Sequence, residues 1–262
     1  MSDDVDLAVR AVRAGAAAAL DERDRARPDG PTGTASDLDL GIEVKGAPTD
    51  FVSRADTASE AAIVALLRAE RPADGILGEE GASAGSATGR RWVVDGIDGT
   101  FNFLSGIPHW CVAVGLEAAG GPVAGAVYDP TADELFAGGP GRPTTLNGAT
   151  TSVRTGRGLD AAAVATFLER DVDRDLVLGR LAGAVGVLRA GGAGTLELAW
   201  VAAGRVDAWA QPHVAPWDWV PGAALVGEAG GTAVVLDDGD PAWHIAGAPD
   251  LVAALAALVP RG

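Results

Sequence analysis

Residues 92–103 read WVVDGIDGTFNF, and the middle of that stretch is the part that needs explaining. Trp92-Val93-Val94 is an apolar run of the kind that forms a buried strand. It meets two carboxylates three positions apart, Asp95 and Asp98, with Gly96 and Gly99 interleaved and Thr100 following. Acids at the end of a core strand are costly to bury unless something pairs with them. On a strand-to-turn segment the two side chains converge, and the turn frees the Ile97 carbonyl to point the same way. Three hard oxygens in so short a span suit Mg²⁺, which takes carboxylates, carbonyls and water. Gly99-Thr100 would then open a short helix, and backbone N–H groups at a helix start bind phosphate. An acidic turn that merely caps a strand satisfies the same string, so the two readings must be separated by the rest of the chain.

Composition narrows the field. The 262 residues make one large domain or two small ones, and 48% hydrophobic residues supply a full core. Lys+Arg number 20 against 36 Asp+Glu, a net charge of −16. That balance argues against nucleic-acid backbones and anionic membranes as partners. A phosphorylated substrate stays open, because a bound metal reverses the local sign. The single cysteine, Cys111, excludes an internal disulfide and fits a reducing compartment. The N-terminus MSDDVDLAVRAV is acidic where a secretory leader is basic. The apolar tail at 251–259 is too short to span a bilayer. The expectation is a soluble, cytoplasmic protein with neither nucleic acid nor membrane as partner.

Along the chain, apolar spacing predicts helices at 4–20 and 56–70, the second capped by Asp56 or Thr57. A strand at 92–95 is followed by strand-like runs at 109–119, 121–130 and 133–140, separated by Gly and Pro turns, which read as an antiparallel meander. The turn-rich segment 138–152 is the best boundary, dividing the chain into residues 1–150 and 151–262. Beyond it we expect a strand at 159–167, helices near 174–187 and at 195–203, and a strand at 205–210. A helix at 218–229, a strand at 232–237 and a helix at 250–258 complete the chain. Strands then helices followed by alternation suggest an α+β part joined to an α/β part.

Other acids recur in suggestive places. Lys45, Asp50 and Asp56 lie in EVKGAPTDFVSRADTASE (43–60), Glu79 and Glu80 in ILGEEG (76–81), and Asp218 in APWDWVPGAALVGEAGG (215–231). Singly, each reads as a solvated turn or a helix cap. Together, the order K-x4-D-x5-D, G-E-E, W-x2-D-x2-D-G-T-x-N-F and W-D-x3-G resembles the inositol monophosphatase family of metal-dependent, lithium-sensitive phosphatases. GAVYDPTADELFAG (125–138) and GTLELAWVAAGRVDAW (194–209) resemble that family's hairpin and second-domain helix and strand. The resemblance runs from about residue 43 to the end.

The resemblance implies a layered αβαβα sandwich with the site between two subdomains, and a homodimer. It implies Mg²⁺, two or three ions per site: Glu79, Asp95 and the Ile97 carbonyl around one, and Asp95, Asp98 and Asp218 around a second. Asp56 and Thr100 would orient the attacking water, with Glu79 sharing a third metal. Phosphate would rest on the Gly99 and Thr100 amides, and the sugar-facing wall would include Gly194, Thr195 and Gln211. The implied activity is hydrolysis of a small cyclitol, sugar or related alcohol phosphate by metal-activated water.

Three positions depart from the pattern. Gly96 stands where the family has Pro, and Pro221 replaces a usual Ala, consistent with a helix starting close to Asp218. Gln211 stands where inositol-specific members carry a glutamate, which puts inositol itself in doubt. Histidinol phosphate is the alternative substrate. A 3′,5′-bisphosphate nucleotide fits less well, as does a non-catalytic regulatory protein on the same scaffold. Phe101, beside the phosphate, is expected to pack over the turn, and His213, near the mouth, to be a surface or packing residue rather than a catalytic one.

Overall fold

A computed structural model describes residues 4–26, 40–45, 51–167, 178–237 and 242–259. Asp50 lies outside those residues, as does the start of the helix expected near 174–187.

Five layers stack in the order helix, sheet, helix, sheet, helix. The first holds α1 (Asp4–Arg25) and α2 (Arg54–Glu70), which pack on each other and on the large sheet. That sheet has eight strands: β3 (Gly75–Gly78), β4 (Ser83–Ala84), β5 (Arg91–Asp98), β6 (Cys111–Ala118), β7 (Gly121–Asp129), β8 (Glu134–Gly139), β9 (Arg142–Leu146) and β10 (Ala149–Thr150). Their order is β10-β9-β8-β7-β6-β5-β3-β4, antiparallel except for the parallel β3–β5 pair. A separate two-stranded hairpin, β1 (Glu43–Val44) and β2 (Phe51–Val52), precedes α2. The expected meander is β6 to β8, extended by β9.

The middle layer holds α4 (Gly194–Ala202) and α5 (Pro216–Glu228), in contact with both sheets. The smaller sheet contains β11 (Ala163–Ala165), β12 (Val187–Arg189), β13 (Ala208–Pro212), β14 (Thr232–Leu236) and β15 (Trp243–Gly247), in the order β12-β11-β13-β15-β14. On its outer face lies α6 (Pro249–Ala256). The short α3 (Thr100–Ser105) follows β5 directly.

Side-chain alternation assigns the layers. Trp92, Val94, Val112 and Val114 face α1 and α2, whereas Val93, Cys111 and Ala113 face the middle helices. On β13, Trp209 faces the middle layer while Ala208 and Ala210 face outward. This period of two is what pleated strands buried on both faces require.

Several expectations change. The cap of α2 is Ser53, not Asp56 or Thr57, and the helix begins at Arg54. Asp56 sits one turn in, where its carboxylate accepts a hydrogen bond from the Ser53 amide in a capping box. The strand expected at 159–167 shrinks to three residues after a 3-10 turn at Leu159–Ala161. Val187, expected to end the helix near 174–187, instead opens β12, and β15 was not foreseen. Helix α5 starts at Pro216, so Pro221 lies in its interior rather than its first turn. Its place is explained by the sheet below: Gly115 and Gly125 are register partners, and a Cβ on either would strike the Pro221 backbone. Two glycines thus let the helix settle on the strands.

Candidate active site

Strict alternation along β5 would send Asp95 and Asp98 to opposite faces of the sheet. A bulge prevents this. Asp95 pairs with Ala113 and Asp98 with Cys111, three residues of one strand against two of the other. Since Ala113 and Cys111 face the middle layer, both carboxylates do too, toward the first turn of α5. There Asp218 joins them. Asp95, Asp98 and Asp218 each offer a ligand oxygen within 4.8 Å of the others, a group that can hold a metal ion.

Asp95 is the centre of this group. It is 1% exposed, and neither carboxylate oxygen has a hydrogen-bond partner among the described residues. Burial, then the charges of Glu79, Asp98, Asp218 and Asp56, hold its carboxyl well above the ordinary range. A buried carboxyl with no donor and four acidic neighbours is stable as an anion only beside a cation. Asp98 is better provided. Its Oδ2 accepts from the Thr195 amide at 2.7 Å, the Leu196 amide at 3.3 Å and the Cys111 thiol at 3.6 Å. Burial still raises its pKa against those bonds.

Glu79 follows β3 and donates its amide to the Val94 carbonyl at 3.2 Å, which ties it to the strand bearing Asp95. Burial pushes its carboxyl up to about 7, with Lys45 opposing and Glu80 and Asp56 adding to the rise. The Lys45 ammonium lies 3.2 Å from Glu79 Oε1 and 2.7 Å from Glu80 Oε1. Glu79 therefore stands outside the tight triad, held by a side-chain cation of the chain's own.

Thr100 opens α3 behind Gly99, whose φ of +90° is a left-handed conformation that glycine adopts without strain. The Thr100 hydroxyl lies 2.7 Å from Asp56 Oδ1 and 3.0 Å from the Ile97 carbonyl. Asp56 also accepts from the Ser53 amide and hydroxyl, yet burial raises its pKa. Of the expected sugar-facing residues, Gly194 opens α4 and Gln211 is 7% exposed on β13. Thr195 is fully buried, its amide on Asp98 and its hydroxyl 3.3 Å from the Asp218 carbonyl. Phe101 does not pack over the turn. It is half-exposed and stacks on Phe51 of the hairpin at 6.0 Å. Of the two placements expected for His213, the structure has the exposed one.

One face of α2 registers the whole centre, and only Asp56 on it was singled out from sequence. The Ser59 hydroxyl donates to the Gly96 carbonyl at 2.7 Å. Glu60, 5% exposed, accepts from the Glu80 amide at 2.8 Å and the Ala82 amide at 2.9 Å. A Cβ on Gly96 would lie 2.8 Å from the Asp56 carbonyl, so glycine there serves close approach of the helix. Two further residues escaped notice. Asn102 Nδ2 donates to the His109 and Gly191 carbonyls at 2.7 and 2.9 Å, and the buried Glu197 accepts from the Gly191 amide at 2.8 Å. Together they fix the loop that enters α4.

This constellation has counterparts. Residues 6–259 match the model of the inositol monophosphatase family. The chain belongs to that family. It is 38% identical over 210 residues to an inositol-1-monophosphatase of Rhizobium meliloti (strain 1021), covering 76% of this chain and 77% of the relative. It is also 38% identical over 192 residues to Nus factor SuhB of Pseudomonas aeruginosa, 70% of this chain and 71% of that one. Among solved structures, extragenic suppressor protein suhB from Bartonella henselae superposes with a TM-score of 0.82 at 30% identity, covering 99% and 97% of the two chains. Inositol monophosphatase from Anabaena superposes at 0.79 and 28% identity, covering 98% and 96%. The five-layer arrangement is thus the inositol monophosphatase fold. Among the described residues no helix is long and apolar enough to cross a membrane.

Proposed function

We propose that the protein is a Mg²⁺-dependent phosphomonoesterase acting on a small cyclitol, sugar or related alcohol phosphate. The observation that carries this reading is Asp95, buried among acids with both oxygens unpartnered among the described residues. The donor set fits the ion: only carboxylates and a carbonyl, the hard oxygens Mg²⁺ prefers. Lys45 already places one cation against Glu79 and Glu80. Glu79, Asp95, the Ile97 carbonyl, Asp98 and Asp218 would hold two or three ions. When bound, Mg²⁺ lowers the pKa of water and neutralises charge on the phosphoryl oxygens.

The chain's own residues then have distinct tasks. The Thr100 hydroxyl donates to Asp56, which leaves its oxygen lone pairs to accept a proton from a water in the site. Asp56, with its raised pKa, takes the Thr100 proton as that water is deprotonated. Asp98 spans the two halves, tying β5 to the start of α4 through Thr195 and Leu196. Residues 1–150 supply Asp56, Glu79, Asp95, Asp98 and Thr100, while residues 151–262 supply Asp218 and the wall of Gly194, Thr195 and Gln211. Phosphate rests on the Gly99 and Thr100 amides.

The test is release of inorganic phosphate over a panel of cyclitol, sugar, histidinol and nucleotide phosphates, with Mg²⁺ and with EDTA. Turnover of at least one cyclitol or sugar phosphate, lost in EDTA, is expected; turnover unaffected by EDTA contradicts the reading. A second reading, a regulatory protein of the transcription apparatus on the same scaffold, draws on the relative named Nus factor SuhB. A chain that hydrolyses nothing on the panel would favour it.

A further inference from the structure

The Gly99 turn rests on a short loop from the other half of the chain. A Cβ built on Gly99 would lie 3.1 Å from both the Gly192 carbonyl oxygen and Ala193 Cβ, and 3.2 Å from the His109 carbonyl oxygen. The same loop runs into α4, where the Thr195 and Leu196 amides hold Asp98 Oδ2. Whatever places residues 191–193 therefore also places the Gly99–Thr100 turn and one acid of the triad.

Gly191 is where that loop is fastened, and both of its main-chain groups are used. Its carbonyl accepts from Asn102 Nδ2 at 2.9 Å, and its amide donates to Glu197 Oε1 at 2.8 Å. A Cβ on Gly191 would lie 2.5 Å from Glu197 Oε1 and from His109 Nε2, so two side chains close directly over it. Asn102 also donates to the His109 carbonyl at 2.7 Å, which binds the loop to α3 and to the approach to β6. Gly192 follows at a φ of +87°, a conformation glycine takes without strain.

Glu197 is the unexpected member of this group. It is 2% exposed on α4, between the buried Leu196 and Leu198. Its Oε1 lies 3.7 Å from His109 Nε2, and the His109 ring packs edge-on against Trp200 at 5.0 Å. Burial raises the Glu197 pKa, with His109 and the Gly191 amide opposing. Burial works against a charged His109, but Glu197, Asp98 and Asp129 outweigh it and raise the imidazole pKa. Apolar packing in place of such a buried pair is often no less stable. Stability alone thus leaves Glu197 unexplained, whereas its hold on Gly191 gives it a task.

We propose that Glu197, paired with His109, is a positioning residue for phosphate: acting through Gly191, it keeps the Gly99 and Thr100 amides where the phosphoryl group must sit. This rests on the phosphomonoesterase reading and adds to it a residue remote from the triad in sequence and role.

Glu197→Gln and Glu197→Leu test it. Glutamine keeps an acceptor for the Gly191 amide, and leucine, of similar size, does not. In ¹⁵N-labelled protein without metal, the Gly99, Thr100 and Thr195 amide signals should move in the leucine variant and stay near their wild-type positions in the glutamine variant. Affinity for inorganic phosphate, by calorimetry in saturating Mg²⁺, should fall about tenfold with leucine and less than about threefold with glutamine, the scale of one hydrogen bond to a charged group. In wild type, the Gly191 amide signal should move together with those of Gly99 and Thr100 as phosphate is added, a measurement that needs no variant to fold. A lower melting temperature in the leucine variant, with phosphate affinity and the Gly99 and Thr100 signals unchanged, would make Glu197 a structural acid and overturn the proposal. Equal losses in the two variants, or a Gly191 signal that stays still while Gly99 and Thr100 move, would overturn it too, as would a wild type that binds no phosphate. The expected shifts and affinities in a chain that hydrolyses no phosphate ester would uphold the positioning role and refute the phosphatase.

Discussion

Replacing Asp95 with Asn should abolish activity and yet stabilise the metal-free protein. At neutral pH the buried Asp95 must either stay charged beside Asp98 and Asp218, or take up a proton. Two unit charges no more than 4.8 Å apart repel by at least about 3.5 kcal/mol at an effective dielectric of about 20. Protonation limits the penalty, because neutralising a carboxyl of ordinary pKa at pH 7 costs about 4 kcal/mol. The asparagine amide relieves that cost but brings a desolvation cost of its own, about 1–3 kcal/mol when unpaired. The net gain is about 2 kcal/mol, which in a chain of this size corresponds to about 4–8 °C in Tm. The assay is a pair of thermal melts, in EDTA and in saturating Mg²⁺. Wild type should be the less stable protein in EDTA and gain on adding Mg²⁺; Asp95→Asn should melt higher in EDTA and respond little to the ion. Activity should fall by more than the 10–100-fold typical of an outer-sphere substitution. A variant that melts lower in EDTA, with the Mg²⁺ response intact, would show that Asp95 is an ordinary structural acid and refute the reasoning.

Thr100→Ala should lower kcat by about 10²–10⁴-fold, the usual range for lost acid–base assistance, and change KM only a few-fold. An effect confined to KM would make Thr100 a binding residue. Glu60→Gln exchanges one of two carboxylate acceptors for a donor facing a backbone amide; Mg²⁺ affinity by calorimetry should weaken about tenfold, on the scale of one charge-assisted hydrogen bond. Unchanged affinity would detach Glu60 from the acid centre. His244 has its pKa pushed down to about 4 by burial. The unfolded chain therefore takes up the proton first, so the stability contributed by the neutral ring is complete above about pH 6.5 and is lost as pH falls toward 4. Because the ring is partly exposed, the loss is of order 1–2 kcal/mol. His244→Phe should flatten that part of the stability–pH curve, and an unaltered slope would contradict the assignment.

The acid centre was legible because its members are chemically unusual where they stand: Asp95 and Asp98 interrupt an apolar strand, and Asp218 stands in the first turn of an apolar helix. The bulge that turns both β5 carboxylates to one face was not legible, since it depends on register with β6. Glu60 and Ser59 passed unremarked for a different reason. An acid and a serine on an amphipathic helix look like its solvated side, and only the approach of the 79–82 turn and Gly96 buries them. The cap of α2 was misplaced because Asp56 and Thr57 are both good capping residues and Ser53 precedes a basic residue rather than an apolar one. Pro221 pointed to a helix start by local rule, whereas Gly115 and Gly125, about a hundred residues away, make room for it inside α5. Strand β15 was missed because WHIAG is short and follows the polar sequence DDGD, and its identity comes from pairing with β13 and β14.

The central claim is that Asp95, Asp98 and Asp218 hold a metal. Diffraction from crystals soaked in Mn²⁺, collected at an energy where manganese scatters anomalously, tests it most directly. A metal peak should appear in contact with carboxylate oxygens of all three residues, and the Asp95→Asn crystal should lose it. Full soaking with no peak at the triad, or a peak that survives Asp95→Asn at undiminished height, would contradict the claim.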